Sequence, residues 1–375
     1  MTSTPDVLII GGGVIGLSTA SLLAKAGVRV EVLDRGPLGM ESSWAGAGII
    51  PPGNPDRAKT PFDRLRALSA VAFPDLSREL LSETGIDNGY RVCGGIQILD
   101  PSDSASVPAW EEEGFPFQRL TGAALTAIEP VLVEPAAPVY DQPTGAQVRN
   151  PRHMQALVAI CRSRGVGLYP DTPVAAIEHR ANKVTGVRLA DGTLKTAGRY
   201  LLAAGAWSEA FLESIGLSSG IHPVRGQIVL LKMPAPIFRR VIEWGKEYLV
   251  PREDGHILLG STEEPEVGFV KGNTVKAVKR LLTFALALVP ELKKAEIIRC
   301  WSGFRPGTRD GLPVLGPAGE ITNLFIASGH FRSGLQLSPA TAQVMCELLT
   351  DRPVSLPLND FRPGRLDEQT RRQGD

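Results

Sequence analysis

DVLIIGGGVIGLSTASLLAKAGVRVEVLD, residues Asp6 to Asp34, is the stretch whose reading decides the fold. Val7 to Ile10 is a short apolar run, suited to a parallel strand buried on both faces. Gly11, Gly13 and Gly16 follow at once in G-x-G-x-x-G spacing. The first glycine allows the tight turn, the second lets the backbone approach a pyrophosphate, and the third lets the next helix lie against the strand. Ile15 to Ala26 has helical apolar spacing and stops at Gly27. Val28 to Leu33 reads as a second strand, with Asp34 at its end, where an acid accepts a ribose hydroxyl. Glycines alone would say little. Strand, glycines, helix, strand and acid in this order predict a dinucleotide-binding unit, and Val14, Ile15 and Arg35 flank its contact points.

Composition sets the outer limits. At 375 residues the chain exceeds one ordinary domain. Lys plus Arg and Asp plus Glu are both 40, so no net field favours nucleic acid or an anionic membrane, and neither is an expected partner. Cys93, Cys161, Cys300 and Cys346 are scattered without metal-ligand spacing, so no metal is expected and reduced thiols in the cytoplasm fit best. The start, MTSTPD, lacks a basic region, and its first apolar run meets the glycine turn, so it reads as a strand rather than a signal peptide or membrane span.

Outward from the glycine turn, Gly36 to Gly48 (GPLGMESSWAGAG) is rich in small residues. Ser42, Ser43, Ala45, Gly46, Ala47 and Gly48 suit close approach to a ligand, or simply an ordinary connecting loop. Pro51 to Pro61 reads as an exposed connection. Phe62 to Thr84 reads as an amphipathic helix with Leu65, Leu68, Val71, Phe73, Leu76 and Leu80 near one face, kinked or split at Pro74. Strand-like pieces follow at Arg91 to Leu99 and Val139 to Val148, before a helix with Pro151 at its start that runs through Ser163 and stops at Gly165, and strand Val166 to Tyr169. Val174 to His179 and Lys183 to Leu189 pair as a hairpin. Tyr200 to Ala204 is a buried strand running into Gly205 and Trp207, a second edge suited to a nucleotide. His222 to Leu231, Tyr248 to Arg252, His256 to Ser261 and Ala295 to Ser302 read as an antiparallel sheet, with a helix over Asn273 to Leu288. Leu324 to Ala327 is a strand, Ser328 to Leu337 a loop, and Ser338 to Leu349 a helix with Ser338 as N-cap and Pro339 first.

The expected fold class is therefore α/β, a Rossmann-like nucleotide domain interleaved with an antiparallel-sheet substrate domain. Residues 1–85, 146–220 and 300–365 are assigned to the first and 86–145 and 221–299 to the second. Residues 366–375 form a polar tail, with fraying expected from Arg365 onward.

Five segments carry a resemblance over nearly the whole chain: IIGGGVIG (Ile9 to Gly16), AAGAWS (Ala203 to Ser208), YLVPR (Tyr248 to Arg252), GFRPGTRDGLPVLG (Gly303 to Gly316) and ASGHFRSGLQLSPAT (Ala327 to Thr341). In these the chain resembles the D-amino-acid oxidase family of FAD-dependent amine oxidases, on its glycine-oxidase branch. The resemblance implies FAD on Gly11, Gly13, Gly16 and Asp34, with Ser42, Ser43 and Ala45 to Gly48 against the flavin. It implies Val174 at the adenine, Ala204, Gly205 and Trp207 along the cofactor, and His330, Phe331, Arg332, Ser333, Gly334, Leu335, Gln336 and Leu337 at the isoalloxazine ring. Arg305 matches the arginine that holds a substrate carboxylate, Tyr248 a tyrosine bonding the same group, and Arg332 an arginine beside the flavin and the amine. Cys300 stands off the position where relatives tether flavin, so FAD is expected to be non-covalent.

The implied activity is oxidative deamination of glycine, sarcosine and small D-amino acids, with molecular oxygen yielding hydrogen peroxide and the imine feeding thiazole synthesis. The alternatives are a dehydrogenase of the same fold passing electrons to a quinone, and a non-catalytic flavoprotein. An NAD-only enzyme is disfavoured, because no catalytic His or Tyr/Lys arrangement accompanies the glycines. A homo-oligomer accords with family habit. The chain departs from the family at Glu263, expected to face solvent, and at Lys246, near the pocket mouth.

Overall fold

The computed structural model describes residues 4–103 and 105–365. At its centre is a sheet of six strands in the order Val314–Ala318, Ile321–Ser328, Arg199–Leu202, Val7–Ile10, Val30–Leu33, Gly167–Tyr169. All neighbours run parallel except the pair at the Val314 edge. The strand Val7–Ile10 explains its own hydrophobicity. Val7 and Ile9 enter one core with Leu17, Leu23, Phe73 and Met154, whereas Leu8 and Ile10 enter another with Val187, Tyr200 and Leu202. Both faces are covered, so every position is apolar. Helices Val14–Lys25, Pro61–Thr84, Asn150–Ser163 and Gly334–Leu349 contribute to the first core. A three-stranded sheet, Val174–Arg180, Lys183–Leu189 and Leu194–Lys195, contributes to the second.

Two helices differ from their sequence reading. Pro61–Thr84 runs unbroken past Pro74, started by Thr60, whose hydroxyl accepts from Asp63 N–H, and stopped by left-handed Gly85. Val71, expected on its apolar face, is exposed. The last helix starts at Gly334, not at Ser338, and carries Pro339 inside it. A proline there frees the carbonyl of Leu335, and the Ser338 hydroxyl donates to that carbonyl at 2.8 Å instead of capping the helix. The next N–H, of Ala340, donates to buried Ser69 Oγ at 3.1 Å. One local and one long-range hydrogen bond thus carry the helix through its proline.

The second large sheet has eight strands, in the order Glu296–Gly307, His222–Lys232, His256–Gly260, Glu247–Pro251, Val241–Trp244, Gly95–Ile98, Val139–Gln142, Gln118–Leu120. It is mixed rather than purely antiparallel. Val241–Trp244 and Gly95–Ile98 pair parallel, joining the two inserted segments into one sheet. Leu249 and Leu259 pack beneath helix Val275–Leu288, through Leu281, Ala285 and Leu288. Tyr248, Val250 and Leu258 leave the opposite face and pack with Ala47. That alternation turns Tyr248 towards the parallel sheet.

Arg365 does not fray. It is buried and its guanidinium holds Asp310 at 2.8 Å. The rest of the expected tail, 366–375, lies outside the described residues. Among these, no helix is long and apolar enough to cross a membrane.

Candidate functional site

A cavity of about 760 Å³ runs between the two large sheets, from Asp34 and Val174 at one end to Tyr248 and Arg305 at the other. The glycine turn forms its wall. Gly11 has φ +112, and a Cβ there would stand 2.4 Å from the Ala203 carbonyl oxygen. A Cβ on Gly16 would stand 2.0 Å from the Gly11 oxygen, so this glycine serves the packing of helix on strand and does not itself line the cavity. The first turn of helix Val14–Lys25 opens into the cavity, and the positive end of its dipole favours an anion. Asp34 holds the turn: Oδ2 accepts from Gly12 N–H at 2.7 Å and Oδ1 from Gly36 N–H at 3.0 Å. Burial pushes its carboxyl above the usual range, although these two bonds pull it down.

Every residue proposed from the sequence lines this cavity except Gly16 and Leu337, the latter being fully buried in the core. The two serines are already engaged. Ser43 Oγ accepts from Val14 N–H at 2.9 Å, and Ser42 Oγ donates to the Phe304 carbonyl. They therefore fix the small-residue loop between the glycine turn and the strand that carries Arg305. Arg35 lies over the Trp207 ring, 3.7 Å from its centroid. Such a stack joins the two nucleotide-type edges.

At the far end, Arg305 donates to the Thr262 carbonyl at 3.0 Å and to Ser261 Oγ. Both partners are neutral. Burial lowers its proton affinity, which the nearby Tyr248 opposes. Glycines make room for this pair: a Cβ on Gly226 would stand 2.4 Å from the Arg305 guanidinium, and one on Gly260 would stand 2.3 Å from the Tyr248 ring. Arg332 donates to the Lys246 carbonyl at 2.9 Å and pairs with Glu263 at 3.5 Å. Lys246 Nζ holds the other Glu263 oxygen at 2.9 Å. Glu263 thus does not point free into solvent as expected from the sequence. It clamps Arg332 to the pocket mouth.

Sequence reasoning missed Glu243, Asn150, Gly226 and Met40, all of which line the cavity. The run VIEWGKEYLV, with its alternation around Gly245, could have revealed the short strand Val241–Trp244 and placed Glu243 opposite Tyr248. The cavity suits a large cofactor on two further counts. The buried Gln336 side-chain nitrogen, in its wall, has no partner, and the helix starting at Gly334 opens into it.

The profile of the FAD dependent oxidoreductase family (DAO) matches residues 6–348. The chain belongs to this family. It is 37% identical over 365 residues to glycine oxidase of Pseudomonas putida, covering 96% of this chain and 99% of that protein. The crystal structure of glycine oxidase from Geobacillus kaustophilus superposes with a TM-score of 0.91 at 32% identity, covering 97% of this chain and 99% of the other. A bifunctional ThiO/ThiG protein of Synechocystis is 34% identical over 379 residues, and this chain spans 55% of its length. The family cofactor is FAD, and the protein is a flavin enzyme of the glycine-oxidase type acting on amine donors.

Proposed function

We propose that the protein oxidises glycine and other small amines, sarcosine and small D-amino acids among them, to the imine, with oxygen reduced to hydrogen peroxide. The observation that carries this reading is Arg305. It is a guanidinium in the cavity wall whose protein partners, the Thr262 carbonyl and the Ser261 hydroxyl, are both neutral. A desolvated cation whose hydrogen-bond acceptors are neutral, and whose nearest carboxylate, Glu263, is already shared by Lys246 and Arg332, favours an anionic ligand, and a planar guanidinium fits a carboxylate with two parallel hydrogen bonds. The Tyr248 hydroxyl adds a third donor on the same side. Carboxylate held there, the amine-bearing carbon projects towards Arg332 and the start of the Gly334 helix.

The chemistry that FAD would supply when bound is acceptance of the electron pair lost from the amine and its delivery to oxygen. It would rest non-covalently on Gly11, Gly13, Asp34 and the Ser42 to Gly48 loop. No cysteine lines the cavity among the described residues. The chain's share of the work is orientation and charge: Arg305 and Tyr248 fix the substrate, and the positive helix end favours negative charge on the reduced cofactor. The likeness to a fused ThiO/ThiG protein supports a role in supplying glycine imine to thiazole synthesis.

The decisive experiment mixes the holoenzyme anaerobically with glycine, sarcosine, D-alanine, D-proline and L-proline while the flavin absorbance is followed. Glycine and the small D-amino acids should bleach it, and bleaching by L-amino acids alone would overturn the reading. Turnover that needs a dye and makes no peroxide in air would make the enzyme a dehydrogenase. Replacing Arg305 by alanine should cost about 2–4 kcal/mol in kcat/KM, chiefly as raised KM.

A further inference from the structure

Glu243 plays no part in the reading above, yet it occupies a junction. It lies on strand Val241–Trp244 directly across from Tyr248, so both side chains leave the sheet on one face. On its other side it pairs in register with Gln97, whose side-chain amide donates to Oε1. Among the described residues, the second oxygen has no protein donor. A second cavity of about 430 Å³ abuts the first, and Pro51 and Glu243 belong to the walls of both.

The charges around this second cavity single Glu243 out. Arg66 is paired with Glu113, and Asp63 accepts from the Thr60 hydroxyl. Arg57, Lys59 and Glu112 are exposed at the rim, where water screens them. Arg332 is the cation acting on Glu243, but its donors go to Glu263 and the Lys246 carbonyl. The carboxyl is pushed upward by burial, with Gln97 and Arg332 pulling the other way. A carboxylate so placed is stabilised by a cation that enters with a ligand.

We propose that Glu243 is a specificity-determining residue, and that the second cavity is a subsite for the part of the substrate beyond its reacting carbon. The subsite favours amino acids whose extension ends in an ammonium group and rejects those ending in a carboxylate. This rests on the reading that Arg305 and Tyr248 hold the substrate carboxylate. With that end fixed beside Tyr248, an extension pointing along the sheet meets Glu243 first and then the Trp110 and Phe115 side of the second cavity.

The test uses holoenzyme and three carboxylates without an α-amine, so that binding is read without turnover, from perturbation of the flavin spectrum. Pentanoate and 4-aminobutanoate are isosteric and differ by methyl against ammonium, and glutarate carries the opposite charge. Wild-type protein should bind 4-aminobutanoate tighter than pentanoate on the order of ten-fold, and glutarate weakest. Glu243→Gln keeps the shape and the Gln97 bond, and should bring the first ratio close to one. A wild-type ranking with glutarate tightest, or a ratio unchanged in E243Q, would overturn the proposal. The wild-type ranking decides even if the variant loses its flavin. Arg305→Ala separates the two layers of the argument. If it leaves all three affinities unchanged, the carboxylate reading fails; if all three weaken, only Glu243 remains in question.

Discussion

Gly226 shows how tightly single atoms set this site. The nearest atoms to a Cβ added there all belong to the Arg305 guanidinium, at 2.4 to 2.5 Å. A side-chain end can move, so Gly226→Ala should fold and keep FAD but displace Arg305. Misplacement by about 1 Å costs roughly 10²-fold, so kcat/KM for glycine should fall by that order with flavin content unchanged. Loss of flavin in parallel would show that Gly226 acts through the fold instead. His153 makes a different residue-scale case. It is fully buried, accepts from Asn88 at Nδ1 (3.1 Å), and leaves Nε2 unpartnered. Burial pushes its pKa down to about 4 from 6.5. Below pH 6.5 the unfolded chain therefore binds a proton that the folded one refuses. Stability is full above that pH and declines as pH falls towards 4, by about 1.4 kcal/mol per unit from this residue. His330, pushed down to about 3, adds the same sign. Thermal melts at pH 7 and pH 5 should show the loss, and His153→Gln should shrink the slope. A slope unchanged in that variant would assign the acid sensitivity to other groups.

At the scale of elements, the start of the last helix is the instructive case. Ser338 and Pro339 carry the usual cap and first-turn preferences, so a start at Ser338 is the natural local reading. The helix instead begins at Gly334 because two bonds repair the proline, one from Ser338 to Leu335 and one from Ala340 to Ser69. Ser69 is 271 residues away, and nothing local announces it. Ser69→Ala should leave the Ala340 N–H buried without a partner and cost about 1–3 kcal/mol in unfolding free energy, measured by denaturant. An unaffected midpoint would mean water takes the place of the hydroxyl. The same contrast explains what was legible. The glycine turn, its helix and both flanking strands follow from local periodicity and turn chemistry, as do the hairpin Val174 to Leu189 and helix Asn150–Ser163. The parallel pairing of Val241–Trp244 with Gly95–Ile98 joins segments far apart in the chain, and no local pattern encodes it. Arg305 and Tyr248 were legible through their motifs. For Glu243 the local run VIEWGKEYLV offers the place opposite Tyr248, but its Gln97 partner depends on that long-range pairing.

For the whole molecule, the cavity is itself the joint between the two large sheets. Direct ties beside it include Trp301 Nε1, which donates to the Ala45 carbonyl at 3.0 Å, and Ser42, which donates to the Phe304 carbonyl. Buried Arg252, at the end of its strand, reaches the Ala47 carbonyl at 2.8 Å, the Val148 carbonyl at 3.1 Å and Gln147 Oε1 at 2.6 Å. Burial pushes its pKa down to about 9, still charged at neutral pH, so three acceptors rely on one guanidinium. Arg252→Met should leave them unsatisfied and cost about 3–5 kcal/mol. Because Ala47 also lines the cofactor cavity, the variant should bind FAD more weakly as well as melt earlier. A ligand filling this joint adds RT ln(1 + [L]/Kd), about 4 kcal/mol at a thousand-fold excess over Kd. Melting temperature should therefore rise with added FAD in both proteins, with the Arg252→Met curve displaced to higher FAD concentration. Acid precipitation should release the yellow colour into the supernatant, as a non-covalent cofactor requires. Colour retained in the pellet would mean a covalent tether, and a melting temperature indifferent to FAD would mean that the sheets hold each other without it.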